Sequence, residues 1–246
     1  MANPFGSNDE ALSKNTNHAN QANLIHAVIP RSAEKFVEVI SASSITGLTG
    51  VYDADGFWHP NTTTRTDVQF TISTPWPVGN NHTVIAGWYR NTGAGAPTSA
   101  PNAGALKFGG TPLTISTLTS DGTQLSAFAR DNSSQQGPGS YVSMSANGAF
   151  AVCHKNNTTG PVQSGYRRVG STNTPLTDTA LTLGTTSSHN VDRVGIKTAS
   201  RYPFLYLFIY DAALSDEDIN AIIVTPGDVL SYTAGGGKPA NYFSQL

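Results

Sequence analysis

The sequence contains little cysteine and little charge. Cys153 is the only cysteine among 246 residues, which excludes an internal disulfide and a metal centre made of several thiolates. We expect it to be a small buried hydrophobic residue on a strand. Charged residues make up only 12% and the net charge is −2, whereas binding to nucleic acid or to an anionic membrane needs clustered Lys and Arg. The composition therefore predicts no nucleic-acid partner and no membrane partner.

Long hydrophobic runs are also missing, and we expect no secretory leader. No stretch approaches the ~20 apolar residues of a membrane span, and the first residues lack a basic segment followed by an apolar run. We therefore expect a protein that is not secreted by a signal peptide and that stays in a cytosol or is packed into a particle assembled there. The Asn-x-Ser/Thr triplets are accordingly interpreted as turns and not as glycan acceptors.

Short segments of β type occupy most of the chain. Residues 68–72 alternate between apolar and polar side chains, and residues 82–89 form a β-branched and aromatic run in which we expect Trp88 to be core. Turn-forming clusters separate the segments, and the strongest hairpin signals are the Asn-Gly pair at 147–148 and the Asp-Gly pair at 121–122. Many short strands with frequent turns predict a single all-β sandwich or barrel.

One short helix is predicted near the C-terminal end of this region. Ser215 is a good N-cap, and the acidic residues 216–218 put negative charge at the positive end of the helix dipole. The isoleucines within residues 219–223 form one apolar stripe. Because the residue before Pro226 is disfavoured in a helix, the pattern predicts a helix over about 215–224 that docks on a sheet.

The chain is predicted to have three parts. Residues 1–35 form an N-terminal arm that begins polar and rich in Asn, Ala and Ser, residues 36–225 form the sandwich, and residues 226–246 form a C-terminal tail. In the tail, a run of glycines precedes Tyr242 and Phe243, which is typical of a flexible hinge leading to aromatic docking anchors. We expect arm and tail to bind neighbouring subunits; packing of either on the chain's own sandwich is an open alternative.

Part of the sequence resembles a known family. Residues 204–219 are similar to the closing signature of concanavalin A-like, laminin-G-like domains, in which a core strand ends in Tyr, a small residue pair and Leu-Ser follow, and a short acidic-capped helix closes the fold. Residues 82–89 resemble the early central strand of this group, and residues 193–196 resemble its Gly-containing segment. The resemblance covers roughly residues 40–224. It implies a two-sheet antiparallel jelly roll with one short C-terminal helix and extended terminal arms.

A second resemblance concerns composition. Few charges, much Thr, Ser, Asn and Gly, and extended termini are similar to structural proteins of tailed bacteriophages. This implies a non-enzymatic virion protein that decorates a capsid or belongs to a tail, with other virion proteins and copies of itself as partners. Two alternatives stay open, a lectin module for host-surface glycans and a glycoside hydrolase of the same fold.

The hydrolase alternative needs a pair of carboxyl groups on either side of the scissile bond. In the retaining hydrolases of this fold, the pair lies on one strand as Glu-x-Asp-x-x-Glu or a near variant. The chain's glutamates have no such spacing: Glu10, Glu34, Glu38 and Glu217. We therefore expect no enzymatic activity.

Candidate binding residues lie near predicted loops. Trp58 and Trp76 provide flat apolar surfaces for a sugar, with Asn61 and Asn81 nearby; the alternative is that both tryptophans close the ends of the sandwich. The Asp53-x-Asp55 pair before a glycine is a fragment of a calcium loop, and a simple turn is the competing interpretation. No other cofactor is expected, because the histidines lack the spacing of zinc ligands.

Overall fold

A computed structural model shows short strands and one α-helix in the residues that it describes. The described residues are 12–41, 43–46, 48–53, 56–58, 66–77, 81–90, 106–108, 113–118, 124–130, 135–136, 142–143, 148–156, 162–168, 177–179, 190–198 and 202–232. In these segments the strands are β1 Leu12–Lys14, β2 Leu24–Ser32, β3 Lys35–Glu38, β4 Ser43–Thr46, β5 Val51–Asp53, β6 Gly56–Trp58, β7 Thr66–Pro77, β8 His82–Arg90, β9 Leu106–Phe108, β10 Leu113–Leu118, β11 Gln124–Arg130, β12 Gln135–Gln136, β13 Val142–Ser143, β14 Gly148–Asn156, β15 Val162–Arg168, β16 Thr177–Thr179, β17 Asn190–Thr198, β18 Phe204–Tyr210 and β19 Leu230–Tyr232.

The strands form two large antiparallel sheets. The first has the order β16-β15-β14-β8-β18-β2-β3-β4, with the β5–β6 hairpin attached to β18. The second has the order β12-β11-β10-β9-β17-β7, with β13 paired to β11. Strands β10 and β11 contact β14, and β11 also contacts β15, which brings the two sheets together. The predicted all-β sandwich of antiparallel strands is confirmed.

Strand β18 is buried on both faces. Every residue from Phe204 to Tyr210 is buried, although strand side chains point alternately to opposite sides. Tyr206, Phe208 and Tyr210 belong to one hydrophobic cluster with the isoleucines of the helix. Leu207 therefore points to the other face of the sheet. A strand that is covered on both faces has a nearly continuous apolar sequence, and residues 204–210 show this pattern.

The predicted helix is confirmed as α1, Asp216–Val224. Ser215 is its N-cap, and its hydroxyl accepts a hydrogen bond from the Asp218 backbone NH over 3.1 Å. The isoleucine stripe is buried against the first sheet. The Lys155 ammonium donates to Asp216 over 2.8 Å and fixes the start of the helix on β14. Within the described residues, no helix has the length and hydropathy needed to cross a membrane.

Aromatic rings fill the opposite face of the sheet at one end. Trp88 stacks on Phe150 and meets Phe204 edge-on, each with ring centroids 5.9 Å apart. Phe36 stacks on Phe204 and meets Phe57 edge-on at 4.7 Å. The predicted burial of Trp88 is confirmed, and so is that of Cys153, which lies in β14 on the helix side of the sheet.

The beginning of the described chain is fastened to its end. Strand β1 pairs with β19, and just beyond it the Asn15 amide donates to the Asp228 carbonyl over 2.7 Å. The Gln21 amide donates to the Val229 carbonyl over 2.6 Å inside the protein. Between β19 and α1 the chain forms a 3-10 turn, Pro226–Val229. The segment assigned to an N-terminal arm thus lies partly on the chain's own sandwich.

The same segment also contributes to the main sheet. Residues 24–32, within the predicted arm, form β2 between β18 and β3. A second 3-10 turn, Gln21–Asn23, leads into this strand. Among the sequence-based predictions, the Asp-Gly hairpin at 121–122 and the anchors Tyr242 and Phe243 lie outside the described residues.

Candidate functional site

The β5–β6 hairpin presents the candidate site. In its register, Tyr52 is opposite Phe57 and Val51 is opposite Trp58. Opposite residues share a face of a hairpin, and successive residues alternate between faces. Tyr52 and Phe57 therefore face inward, and Trp58 lies on the outer face with Asp53.

The hairpin is anchored firmly in the core. Phe57 is buried among aromatic rings and its carbonyl accepts a hydrogen bond from the Thr198 hydroxyl over 2.8 Å. Gly56 has φ +121°, and a Cβ there would lie 2.6 Å from the Phe204 carbonyl oxygen. Only glycine permits this approach of the hairpin to β18. The outer face is thus held by the sandwich instead of by a loose loop.

Trp58 and Asp53 are joined on the outer face. The indole Nε1 of Trp58 donates to Asp53 Oδ2 over 3.1 Å, where Trp58 is half-buried and Asp53 is exposed. The hydrogen bond restricts rotation of the indole. A flat apolar ring is therefore presented at the surface with a carboxylate at its edge, a pairing suited to ligands that have both apolar C–H groups and hydroxyls.

Tyr52, on the inner side of the hairpin, has a raised pKa. Burial raises the pKa of Tyr52, the nearby guanidinium of Arg31 lowers it, and the carboxylate of Asp53 raises it. The pKa of Tyr52 is raised on balance, so its hydroxyl is neutral near pH 7. Arg31, in β2, is only 3% exposed. Its guanidinium is therefore almost completely shielded from solvent.

Trp76 and Asn81 are at the other end of the molecule. Thr66 is paired with Thr198, which touches Phe57. Trp76 lies ten residues further along β7, roughly 33 Å at the rise of an extended strand. Asn81 is exposed just before β8. Trp88, at the hairpin end of β8, pairs with Phe204, and Asn81 lies about 23 Å from it along the strand. The structure therefore separates Trp58 from both. Asn61 and the side chain of Trp76 lie outside the described part of the chain.

The calcium interpretation concerned Asp53 and Asp55. Asp53 accepts a hydrogen bond from the Trp58 indole, and Asp55 lies outside the described residues. Among the side chains that are described, no three His, Cys, Asp or Glu residues group as metal ligands. Calcium binding at this turn stays a prediction.

A buried carboxylate was missed by sequence reasoning. Glu38 accepts hydrogen bonds from the backbone NH groups of Ala27 over 3.0 Å, of Ile40 over 3.2 Å and of Ser41, and it lies 3.8 Å from His26 Nδ1. Burial raises the pKa of Glu38, but these partners outweigh it and lower the pKa to about 2. Its contacts make Glu38 a structural group that ties β2 to the chain after β3. Its place in the strand pattern gave no signal of this role.

Buried histidines form a second unpredicted feature. Strand register aligns His26, Ile209, Val84 and His154 in one row across β2, β18, β8 and β14. The His154 and His82 rings lie 5.3 Å apart between centroids. Burial lowers the pKa of His154 well below its usual value, and the charge of His82 lowers it further. His82 and His154 are far apart in sequence, and the pairing of β8 with β14 brings them together.

Comparison with known proteins identifies the fold. No family model matches the sequence, and no curated protein matches it. A sialidase of Trypanosoma rangeli in complex with 2,3-difluorosialic acid has a TM-score of 0.53 at 14% identity, covering 83% of this chain and 33% of that chain. A mutant of this sialidase that displays trans-sialidase activity gives 0.53 at 13% identity, covering 84% and 34%. This chain thus spans about one third of the sialidases that it matches.

One prediction is overturned by these comparisons. The prediction that the chain is not an enzyme is wrong, because structures that share its fold are sialidases, which are enzymes. It rested on the carboxylate spacing of one group of hydrolases, and that spacing does not describe every glycosidase built on such a fold. At this low identity the likeness shows the fold alone and does not bear on a viral origin. By its fold, the chain is an antiparallel β-sandwich similar to part of these sialidases.

Proposed function

We propose that this chain is a carbohydrate-binding module whose site is the outer face of the β5–β6 hairpin. The observation that carries the proposal is the half-buried indole of Trp58, fixed by its hydrogen bond to the exposed Asp53. The aromatic ring would stack on the C–H face of a sugar, and the carboxylate would accept hydrogen bonds from its hydroxyls. Two of the matching sialidase structures are complexes with sugar acids, which is consistent with a carbohydrate ligand on this fold.

Rigidity of the hairpin supports a binding role. A site that is already ordered loses little conformational entropy when its ligand binds. Phe57 in the core and the close approach of Gly56 to β18 hold the backbone beneath Trp58. The hydrogen bond to Asp53 orients the ring itself.

A glycan array with three variants tests the proposal. We expect Trp58→Ala to weaken binding about tenfold or more, because a stacking contact of about 1.5 kcal/mol is lost. Trp58→Phe should retain part of the affinity. Asn81→Ala, at the opposite end of β8, is the matched control and should bind as the wild type does. Absence of binding to any glycan, or binding that Trp58→Ala leaves unchanged, would refute the proposal.

A role in an assembled particle is a second candidate. The pairing of β1 with β19 brings together the first and last described segments, and the Asp211 NH, which donates to the Asn23 carbonyl, lies at the Tyr210 end of β18. The hairpin lies beside Phe204 at the other end of that strand. Attachment near the termini would leave the glycan site facing outward. Such a module would be a phage capsid-decoration or tail protein, with virion proteins and copies of itself as partners.

The particle role has its own test. We expect the wild type to self-associate in analytical ultracentrifugation and a Tyr242→Ser, Phe243→Ser double variant to sediment as a monomer. A wild type that is monomeric at all concentrations, or a double variant that associates equally well, would argue against docking through the tail.

Glycoside hydrolysis is the third candidate, favoured by the fold shared with sialidases. The measurement is release of fluorophore from sialylated and neutral glycosides by the full chain, with a heat-denatured sample as control. Turnover above that control would assign an activity, and no turnover on either class of glycoside would remove this candidate.

A further inference from the structure

We infer that the Trp58–Asp53 site selects neutral sugars and discriminates against sialylated ones, although the fold is shared with sialidases. The inference rests on the proposed carbohydrate binding and names the class of glycan for that site. Its basis is the charge around the ring, since the group that fixes Trp58 is an exposed carboxylate.

The outer face has acidic character. Asp53 is exposed beside the ring and accepts the hydrogen bond of the Trp58 indole. Arg31, whose positive charge lowers the pKa of the inward-facing Tyr52, is only 3% exposed. A guanidinium in that position cannot form the bidentate contact with a ligand carboxylate that recognition of acidic sugars uses elsewhere.

Coulomb repulsion sets the size of the effect. Two unit charges about 4 Å apart in water repel each other enough to weaken binding about fivefold. A neutral hexose avoids this repulsion, and its hydroxyl groups donate hydrogen bonds that a carboxylate accepts. Because the site is at the surface, the discrimination should shrink as salt is added.

The experiment compares matched glycans and a charge-neutral variant. Isothermal titration with a neutral oligosaccharide and with its sialylated form gives the affinity ratio for the wild type, for Asp53→Asn and for Glu217→Gln. Asp53→Asn keeps an oxygen that accepts from the Trp58 indole and removes only the charge. Glu217→Gln removes one exposed carboxylate on the helix and controls for net charge.

We expect the wild type and Glu217→Gln to prefer the neutral glycan about fivefold at low salt, and Asp53→Asn to bind both forms within about twofold. A wild type that binds the sialylated form equally or better, or an Asp53→Asn ratio equal to that of the wild type, would overturn the inference. If affinity still depended on Trp58 in that case, the proposed function would stand. If no glycan bound, both would fall.

Discussion

At the scale of single residues, Glu38 gives the protein a specific sensitivity to acid. Its carboxylate accepts three backbone hydrogen bonds inside the protein, and its pKa is lowered to about 2. A carboxyl group whose folded pKa is below its unfolded value of 4.5 stabilises the fold above that value. This contribution is lost as the pH falls from 4.5 towards 2, by at most about 1.4 kcal/mol per pH unit.

Replacing this carboxylate tests the account of Glu38. We expect Glu38→Gln to lower the free energy of unfolding by about 2–3 kcal/mol at pH 7, because charge-assisted hydrogen bonds are replaced by weaker ones. The variant should also lose part of the pH dependence between 4.5 and 2. Urea denaturation at several pH values measures both effects. Glu34→Gln, an exposed neighbour, is the control, and equal stability of the two variants would show that the buried bonds contribute nothing.

His154 affects the free energy of unfolding in a different pH range. Burial and the charge of His82 hold its pKa well below the usual value, so the unfolded chain binds a proton below about pH 6.5 that the folded chain does not. The free energy of unfolding should therefore fall as the pH drops from about 6.5, by at most about 1.4 kcal/mol per pH unit.

Removal of that ring should flatten this part of the profile. We expect His154→Leu to lose much of the decline below pH 6.5, and His18→Gln, at a half-buried position, to retain it. Thermal unfolding followed by circular dichroism from pH 7.5 to 5 provides the measurement. A decline of equal slope in His154→Leu and the wild type would exclude His154 as its source.

At the scale of elements, helix α1 was predictable because its signals are local. Ser215 is followed at once by acidic residues and by the isoleucine stripe, and all three features belong to one helix start. The pairing of β1 with β19 was not predictable, since Asn15 and Asp228 are 213 positions apart in sequence. Gln21 likewise showed no pattern that pointed to Val229. Local propensity thus gave the helix, and strand register decided where the polar N-terminal segment lies.

The N-cap provides a prediction for the helix. We expect Ser215→Ala to lower the free energy of unfolding by about 1 kcal/mol, because the Asp218 NH loses its acceptor. Ser215→Asp should restore most of that loss, since Asp is an equally good N-cap. Urea denaturation of the three proteins is the measurement. Identical midpoints for wild type and Ser215→Ala would mean that the cap does not contribute to stability.

At the scale of the whole molecule, the sequence predicted the architecture better than the site. Alternation, turns and the continuous apolar run of 204–210 predict a sandwich, since burial on both faces leaves a clear pattern. Trp58 and Asp53 were each singled out, but for different ligands. Their hydrogen bond depends on the register of the β5–β6 hairpin. The prediction about catalysis was wrong because a fold carries many chemistries, and one motif tests only one of them.

The molecule has two distinct ends. The hairpin with Trp58 lies beside Phe204, whereas Asn23, close to the contact of Gln21 with Val229, is hydrogen-bonded to Asp211 at the other end of β18. Trp76 lies towards this second end, because β7 extends away from the hairpin. The proposed function therefore requires that Trp58, at the hairpin end, contacts the ligand and that Trp76, towards the other end, does not.

The most direct test of that claim is an NMR titration of the indole NH signals with a neutral oligosaccharide. The chain has three tryptophans, and Trp58→Phe assigns the signal of interest. The account predicts that the Trp58 signal shifts in proportion to ligand bound, while the signals of Trp76 and the buried Trp88 stay in place. A shift of the Trp76 signal with the Trp58 signal unmoved would contradict it.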